Sequence, residues 1–383
     1  MREAQSIKEQ KIIEAVRQER EKEFLYWLCQ TPGLGAHQIR RLTELAGSCE
    51  NTYYIEGTQL LKQGIVLKEE KAVQFDYWKK ELTRLQEEYH SLAELGIRFI
   101  TPMEEEYPKR LLHIYDYPMG LYVKGELPSE NSPSAAIIGA RNCTAYGKQA
   151  AQYMGRELAQ NGVQIISGLA LGIDEAGHAG ALMGGGATFA VLGCGVNICY
   201  PKTNYKTYER IAKQGGILSE YPPGTGPLAT NFPVRNRIIS GLSDVILVIE
   251  ARKKSGSLIT AEAGLEQGKD IFALPGRITD ALSEGCNSLI SSGAGILLSP
   301  EDVLEYLGIF HKKSGIPREK NVKGLAKNEK MVYSFLDSEP RHLEELAART
   351  GLTVSQSVNA LLNLELEGFA VRSAGLYYIR GID

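Results

Sequence analysis

No run of 18 uncharged apolar residues occurs in the 383-residue sequence, so a membrane-spanning helix is not expected. Gly-x-Gly-x-x-Gly, Gly-Lys-Ser/Thr and Gly-x-Ser-x-Gly are all missing. That removes the short signatures of a dinucleotide fold, a P-loop nucleotidase and a hydrolase nucleophile elbow. The six cysteines, Cys29, Cys49, Cys143, Cys194, Cys199 and Cys286, include no C-x-x-C pair. Reduced, mostly buried thiols are expected rather than a disulfide framework or a metal site. Met1–Glu23 is dense in Lys, Arg and Glu and lacks an apolar segment. It does not read as a secretory signal, and a cytoplasmic protein is expected. A strong charge of one sign is also missing. The 43 Lys and Arg against 46 Asp and Glu give a net charge of −3, which excludes a uniformly basic coat but not a local basic cleft.

What is present is a globular composition, 43% hydrophobic and 23% charged, on a chain long enough for two or three domains. Residues 1–30 read as a charged helix that turns apolar at Phe24-Leu25-Tyr26-Trp27-Leu28. Thr31-Pro32-Gly33-Leu34-Gly35 then precedes the helical spacing Ile39, Leu42, Leu45. Pro-Gly-x-Gly between helices fits a helix-hairpin-helix turn that holds a phosphate, and equally a plain helical hairpin. A second charged helix is expected over 68–96. Residues 1–105 are thus read as an N-terminal helical domain (helix-hairpin-helix, SAM-like). A connector carrying the short strand Leu121–Gly125 follows.

Residues 106–308 read as the core. Apolar runs at Ala135–Ile138, Val163–Ile166, Ala187–Leu192, Asp244–Glu250, Ile271–Leu274 and Gly295–Leu298 alternate with helical stretches at Tyr146–Gln160, Asp174–Met183, Lys206–Lys213 and Ile259–Glu266. Short apolar strands separated by helices predict a mostly parallel sheet covered on both faces, an α/β Rossmann-like doubly wound fold. Its ligands bind beyond the C-terminal strand ends. Residues 309–327 read as a linker. Residues 328–383, with helices at Glu329–Leu336, His342–Thr350 and Val354–Glu367 and a hairpin at Phe369–Ile379, predict a winged helix. Its Thr353–Glu367 helix has no Lys or Arg but carries Glu365 and Glu367, so it is expected to contact protein rather than DNA phosphates.

The middle of the chain, 131–300, holds 25 of the 40 glycines and is the only net-positive segment, with 14 basic and 12 acidic residues. The glycines cluster after strands. Gly139-Ala140-Arg141 leads into a helix that Thr144 is placed to cap, a helix start that favours an anion. Ser167-Gly168-Leu169-Ala170-Leu171-Gly172-Ile173-Asp174 ends in an expected helix cap, with His178 one turn on. Gly193-Cys194-Gly195 precedes Tyr200-Pro201-Lys202, where Lys202 is a candidate phosphate contact and Cys194 a small buried residue. Phe232-Pro233-Val234-Arg235-Asn236-Arg237 places an aromatic among guanidinium groups. That is the pattern for stacking bases and holding phosphates of a single strand, or else a core phenylalanine with arginines paired to Glu220 or Glu250. Arg252-Lys253-Lys254-Ser255-Gly256-Ser257 sets a basic triplet before a helix start. Five clusters at one sheet edge describe a polar, anion-accepting cleft.

These motifs, in this order and ending with Pro275-Gly276, resemble those of the bacterial DNA-processing protein family DprA/Smf over most of the chain. The resemblance implies a single-stranded DNA-binding recombination mediator with no catalytic turnover and no cofactor. It implies action in natural transformation, loading of the RecA recombinase, relief of inhibition by single-strand-binding protein, and a homodimer. It places a pocket at Arg141, Lys202, Phe232, Arg235 and Arg237, lined by Gly139, Ser167, Gly168, Ser255 and Ser257. Two other readings stay open: a nucleotide-processing enzyme of the nucleoside-monophosphate hydrolase type, using Glu220 or Asp174, and a scaffold that binds only protein.

Overall fold

The computed structural model describes residues 2–309 and 324–381, so most of the expected linker lies outside the described residues. The first helix, α1 (Arg2–Cys29), is followed by α2 (Ala36–Ala46), α3 (Cys49–Thr52), α4 (Gly57–Lys62), α5 (Glu69–Trp78) and α6 (Leu82–Ser91). The single helix expected over 68–96 is interrupted by 3-10 turns at Lys79–Glu81 and Leu92–Leu95. Phe24, Leu25, Tyr26, Trp27 and Leu28 are all buried. A helix end that is apolar all round has to be enclosed, and here it packs onto the sheet. The Tyr26 ring lies 5.1 Å from Phe99 and 5.9 Å from Tyr122, edge-on to both. The helical region therefore shares a core with the sheet.

Nine strands form one sheet: β1 (Arg98–Ile100), β2 (Leu121–Gly125), β3 (Ser134–Ile138), β4 (Gln164–Ser167), β5 (Thr188–Leu192), β6 (Gly216–Ser219), β7 (Val245–Val248), β8 (Asp270–Ala273) and β9 (Gly295–Ile296). Their order is β1-β2-β6-β5-β4-β3-β7-β8-β9. From β6 to β9 every pairing is parallel, while β2 and β1 add antiparallel at one edge. The sheet begins at Arg98, inside the stretch read from sequence as the N-terminal domain. The connector strand Leu121–Gly125 joins the same sheet.

The two faces follow the period of two along each strand. Ala135 and Ile137 meet α7 (Ala145–Gln160) and α8 (Ile173–Met183), whereas Ala136 and Ile138 face α10 (Asn231–Gly241) and α11 (Gly256–Glu266). Between these pairs lies α9 (Tyr205–Gln214), and α12 (Glu284–Ser291) and α13 (Pro300–Tyr306) complete the core. The chain winds outward from β3 to β6 and then returns to the other side of β3 to begin β7. That reversal opens a crevice at the C-terminal ends of β3 and β7.

Residues 324–381 contain α14 (Lys327–Ser334), β10 (Arg341–His342), α15 (Leu343–Thr350), α16 (Val354–Leu366), β11 (Ala370–Ala374) and β12 (Tyr377–Arg380). The sheet order β10-β12-β11 against three helices is a winged helix. Among the described residues, no helix is long and apolar enough to cross a membrane.

Candidate nucleic-acid interface

The crevice encloses about 640 Å³ and is lined by residues from the ends of β3, β4, β5, β6 and β7. Gly139, Arg141, Phe232, Arg235, Asn236, Ser255, Gly256 and Ser257 all border it. Seven strands run parallel, so the loops that follow them emerge at one edge. This is why five sequence clusters far apart in the chain come together.

The cationic groups divide into open and engaged sets. Arg141, exposed, lies with its guanidinium carbon 5.4 Å from the centre of the Phe232 ring. Arg252 and Lys254, from the loop after β7, also line it. Among the described residues, the charged groups of these three make no hydrogen bond or ion pair. Arg235 is different. Its guanidinium is buried and donates to the carbonyl oxygens of Gly168, at 2.9 Å, and Val191. Burial pushes its pKa down to about 10, against the pull of Asp174. It braces the crevice floor and is not open to an incoming phosphate.

Arg237 does not reach the crevice. It donates to Asp116 at 2.7 Å and to both Glu220 oxygens at 2.8 and 2.9 Å. The expected contact set is therefore smaller than the sequence pattern predicts. The helical phase of α10 separates the two arginines: Arg235 points into the core and Arg237 to the connector. The sequence reading had no helix here.

Phe232, the second residue of α10, is half-buried rather than exposed. It leans on Gly193, where a Cβ would come within 2.8 Å of the ring. Tyr200 lies 5.8 Å from Phe232 at 30° and is 42% exposed at the crevice mouth. Tyr200 is not among the residues expected from sequence to line the pocket; its place in the loop after β5, two residues before Lys202, was the available signal. Lys202 is exposed on the short turn Lys202–Asn204, next to Tyr200 in sequence but outside the crevice lining. Ser167 is buried and donates to the Ile137 carbonyl at 2.6 Å, so it ties strands together. Gly168 stands under Arg235, whose guanidinium would meet a Cβ at 2.6 Å.

One expected anion site and one expected helix cap are altered. Thr144 caps α7 as anticipated, accepting from the Gly147 N–H at 2.9 Å. The Glu250 carboxylate, however, already occupies that helix start, accepting from the Thr144 N–H at 2.8 Å and its hydroxyl at 2.5 Å. Asp174 is not the cap of α8. That position is Gly172, and Asp174 accepts from the Gly168 N–H at 3.1 Å. Burial raises the Asp174 pKa, opposed by Arg235. The α11 start remains on the crevice, with the Ser255 and Ser257 hydroxyls 2.7 Å apart and Asn236 donating to the Gly256 carbonyl at 3.4 Å.

In the helix hairpin, Gln38 accepts from the Gly35 N–H at 3.0 Å, so that donor of the turn is satisfied internally. All six cysteines are free. Cys194 is buried, which pushes its thiol up to about 11 and makes it a poor nucleophile.

A doubly wound sheet whose switch-point crevice gathers open cations around two aromatic rings defines a Rossmann-like, polyanion-accepting class of protein. Residues 98–308 match the family described as DNA recombination-mediator protein A, and residues 317–375 match the DprA winged helix domain. The DNA processing protein DprA of Streptococcus pneumoniae is 42% identical over 228 residues, 60% of this chain and 79% of that protein. Protein Smf of Escherichia coli is 40% identical over 285 residues, 73% of this chain and 76% of its own. The X-ray structure of the Streptococcus pneumoniae DprA superimposes with a TM-score of 0.66 at 36% identity, covering 74% of this chain and 97% of that one. A Helicobacter pylori DprA structure, described for its single-stranded DNA binding mode, gives 0.51 at 35% identity, covering 56% and 97%. The chain belongs to the DNA recombination-mediator protein A family, DprA/Smf.

Proposed function

We propose that this protein binds single-stranded DNA in the crevice and mediates recombination by delivering that strand to the RecA recombinase. The observation that carries the reading is Arg141 on the face of Phe232, with Tyr200 tilted beside the same ring. Rings accept the faces of any base, while open guanidinium and ammonium groups neutralise phosphates, which gives binding without sequence readout. Arg141, Arg252 and Lys254 are the phosphate contacts, with Lys202 extending the track past Tyr200. Gly139, Ser255, Gly256, Ser257 and Asn236 shape the wall. Ser167, Gly168, Arg235 and Arg237 hold the frame.

Turnover is not part of the reading. Glu220 is tied to Arg237, and Asp174 is buried against the Gly168 backbone. Neither carboxylate is placed as a free general base for nucleotide hydrolysis. The protein acts in the cytoplasm as a homodimer. It relieves inhibition by single-strand-binding protein, and its winged helix contacts protein.

The test is binding of a fluorescent oligo-dT and a matched duplex across a salt series. The reading predicts preference for the single strand and weakening with salt. A folded protein that binds neither at low salt, or that releases base or sugar phosphate from nucleotides, contradicts it.

A further inference from the structure

The helix hairpin and the connector carry a second aromatic and cationic cluster that the crevice does not use. The His37 ring, on the first turn of α2, stacks on Tyr115 at 5.4 Å and 23°. Tyr115 is 75% exposed. Arg40 lies 3.2 Å from His37 Nδ1, donates to the Tyr115 carbonyl at 3.3 Å and covers the Tyr117 ring at 4.9 Å. Arg41 donates to the carbonyl oxygens of Gln63 and Gly64. Carbonyl bonds leave both charges unneutralised. Glu44, the one carboxylate of α2, makes no ion pair with either arginine.

This cluster connects to the crevice through α10. Phe232 lies in the first turn of that helix, the exposed Pro233 and Val234 follow, and Arg237 reaches Asp116, the neighbour of Tyr115. Backbone rise and one arginine's reach bound the distance from Phe232 to Tyr115 at about 25 Å. Asp116 and Glu220, the carboxylates along the way, are both held by Arg237.

We infer that His37 and Tyr115, with Arg40 and Arg41, form a second station for the same single strand after it leaves the crevice. The exposed Tyr115 face takes a base, the Arg40 guanidinium neutralises a phosphate beside it, and Arg41, the next residue of α2, takes one further along at the Gln63–Gly64 turn. The helix hairpin thus lengthens the binding site through side chains on its second helix rather than through the glycine turn. This inference rests on the crevice reading.

The experiment compares a short oligo-dT of about 6 nucleotides with a long one of about 25. Wild type, Tyr115→Ala, Tyr115→Phe and Arg141→Ala are measured by fluorescence anisotropy. Tyr115 is exposed, so its substitution leaves the core packing alone, and circular dichroism checks the fold. Tyr115→Ala is expected to leave the short strand unchanged and weaken the long strand about 5- to 100-fold, with Tyr115→Phe close to wild type. Arg141→Ala is expected to weaken both. If Tyr115→Ala binds both lengths like wild type while Arg141→Ala does not, the second station is wrong and the crevice stands. Equal loss on both lengths also overturns it, because Tyr115 would then act on the crevice. If Arg141→Ala changes neither length, the crevice reading fails and the inference falls with it.

Discussion

Arg237 is fixed to Glu220 by two hydrogen bonds, at 2.8 and 2.9 Å. With Asp116 on its Nε, this arginine joins the connector to the helix that floors the crevice. Removing it leaves two carboxylates facing each other without a cation. A fully buried pair broken this way costs about 3–5 kcal/mol. Asp116 is half exposed, so water screens part of the loss. Arg237→Ala is expected to lower stability by about 1–3 kcal/mol in urea titration.

Tyr200 stands at the crevice mouth with its ring against Phe232. It is exposed enough that its loss leaves the core intact. Tyr200→Ala is expected to weaken oligo-dT binding by about 1–3 kcal/mol with the melting temperature nearly unchanged. Tyr200→Phe keeps the ring and the affinity. Equal affinities for all three proteins would show that no base stacks there.

His178 gives stability a pH dependence. It is fully buried, and Thr188 gives its own hydroxyl hydrogen to the Ile165 carbonyl, so His178 Nδ1 donates to Thr188 at 2.7 Å. Nε2 has no partner. Burial first, and Arg235 second, lower the pKa to about 3. The unfolded chain takes up this proton near the ordinary value of about 6.5, before the folded chain does. Stability is therefore full above that value and falls as pH drops toward 3, by at most about 1.4 kcal/mol per unit. Asp174, whose pKa is raised, acts in the opposite direction at the acid end. Denaturation curves at several pH values should be steeper in pH for wild type than for His178→Gln, and equal slopes would contradict this assignment.

The doubly wound core was legible because its strands are short apolar runs between periodic helices. The winged helix was legible from Gly351 and the alternating C-terminal hairpin. The strand at Gly216–Ser219 was not, since two apolar residues between Gly and Ser carry no period. Asn231–Gly241 was not read as a helix because Pro233 and two arginines interrupt its apolar face. That omission carried into the site. Without helical phase, the pattern left open whether Arg235 and Arg237 face phosphates or pair with carboxylates; Arg235 is buried, and Arg237 takes Glu220, one of the two partners the alternative offered. The cluster of Gly139, Arg141, Phe232 and Ser255–Ser257 was legible from position after strands alone. Tyr200 was not legible as a site residue because, in a loop beyond β5, it belongs to no periodic segment that would show which way its ring points.

The central claim is that open cations at the crevice hold the strand, while the engaged arginines only support it. The most direct test is the salt dependence of binding to a short oligo-dT for wild type, Arg141→Ala and Arg237→Ala. Each phosphate contact on a single strand contributes about 0.7 to the slope of log K against log salt. Arg141→Ala is predicted to reduce the slope by about that amount and to weaken binding, with Arg237→Ala keeping the wild-type slope. A slope lost with Arg237→Ala and retained with Arg141→Ala would contradict the account.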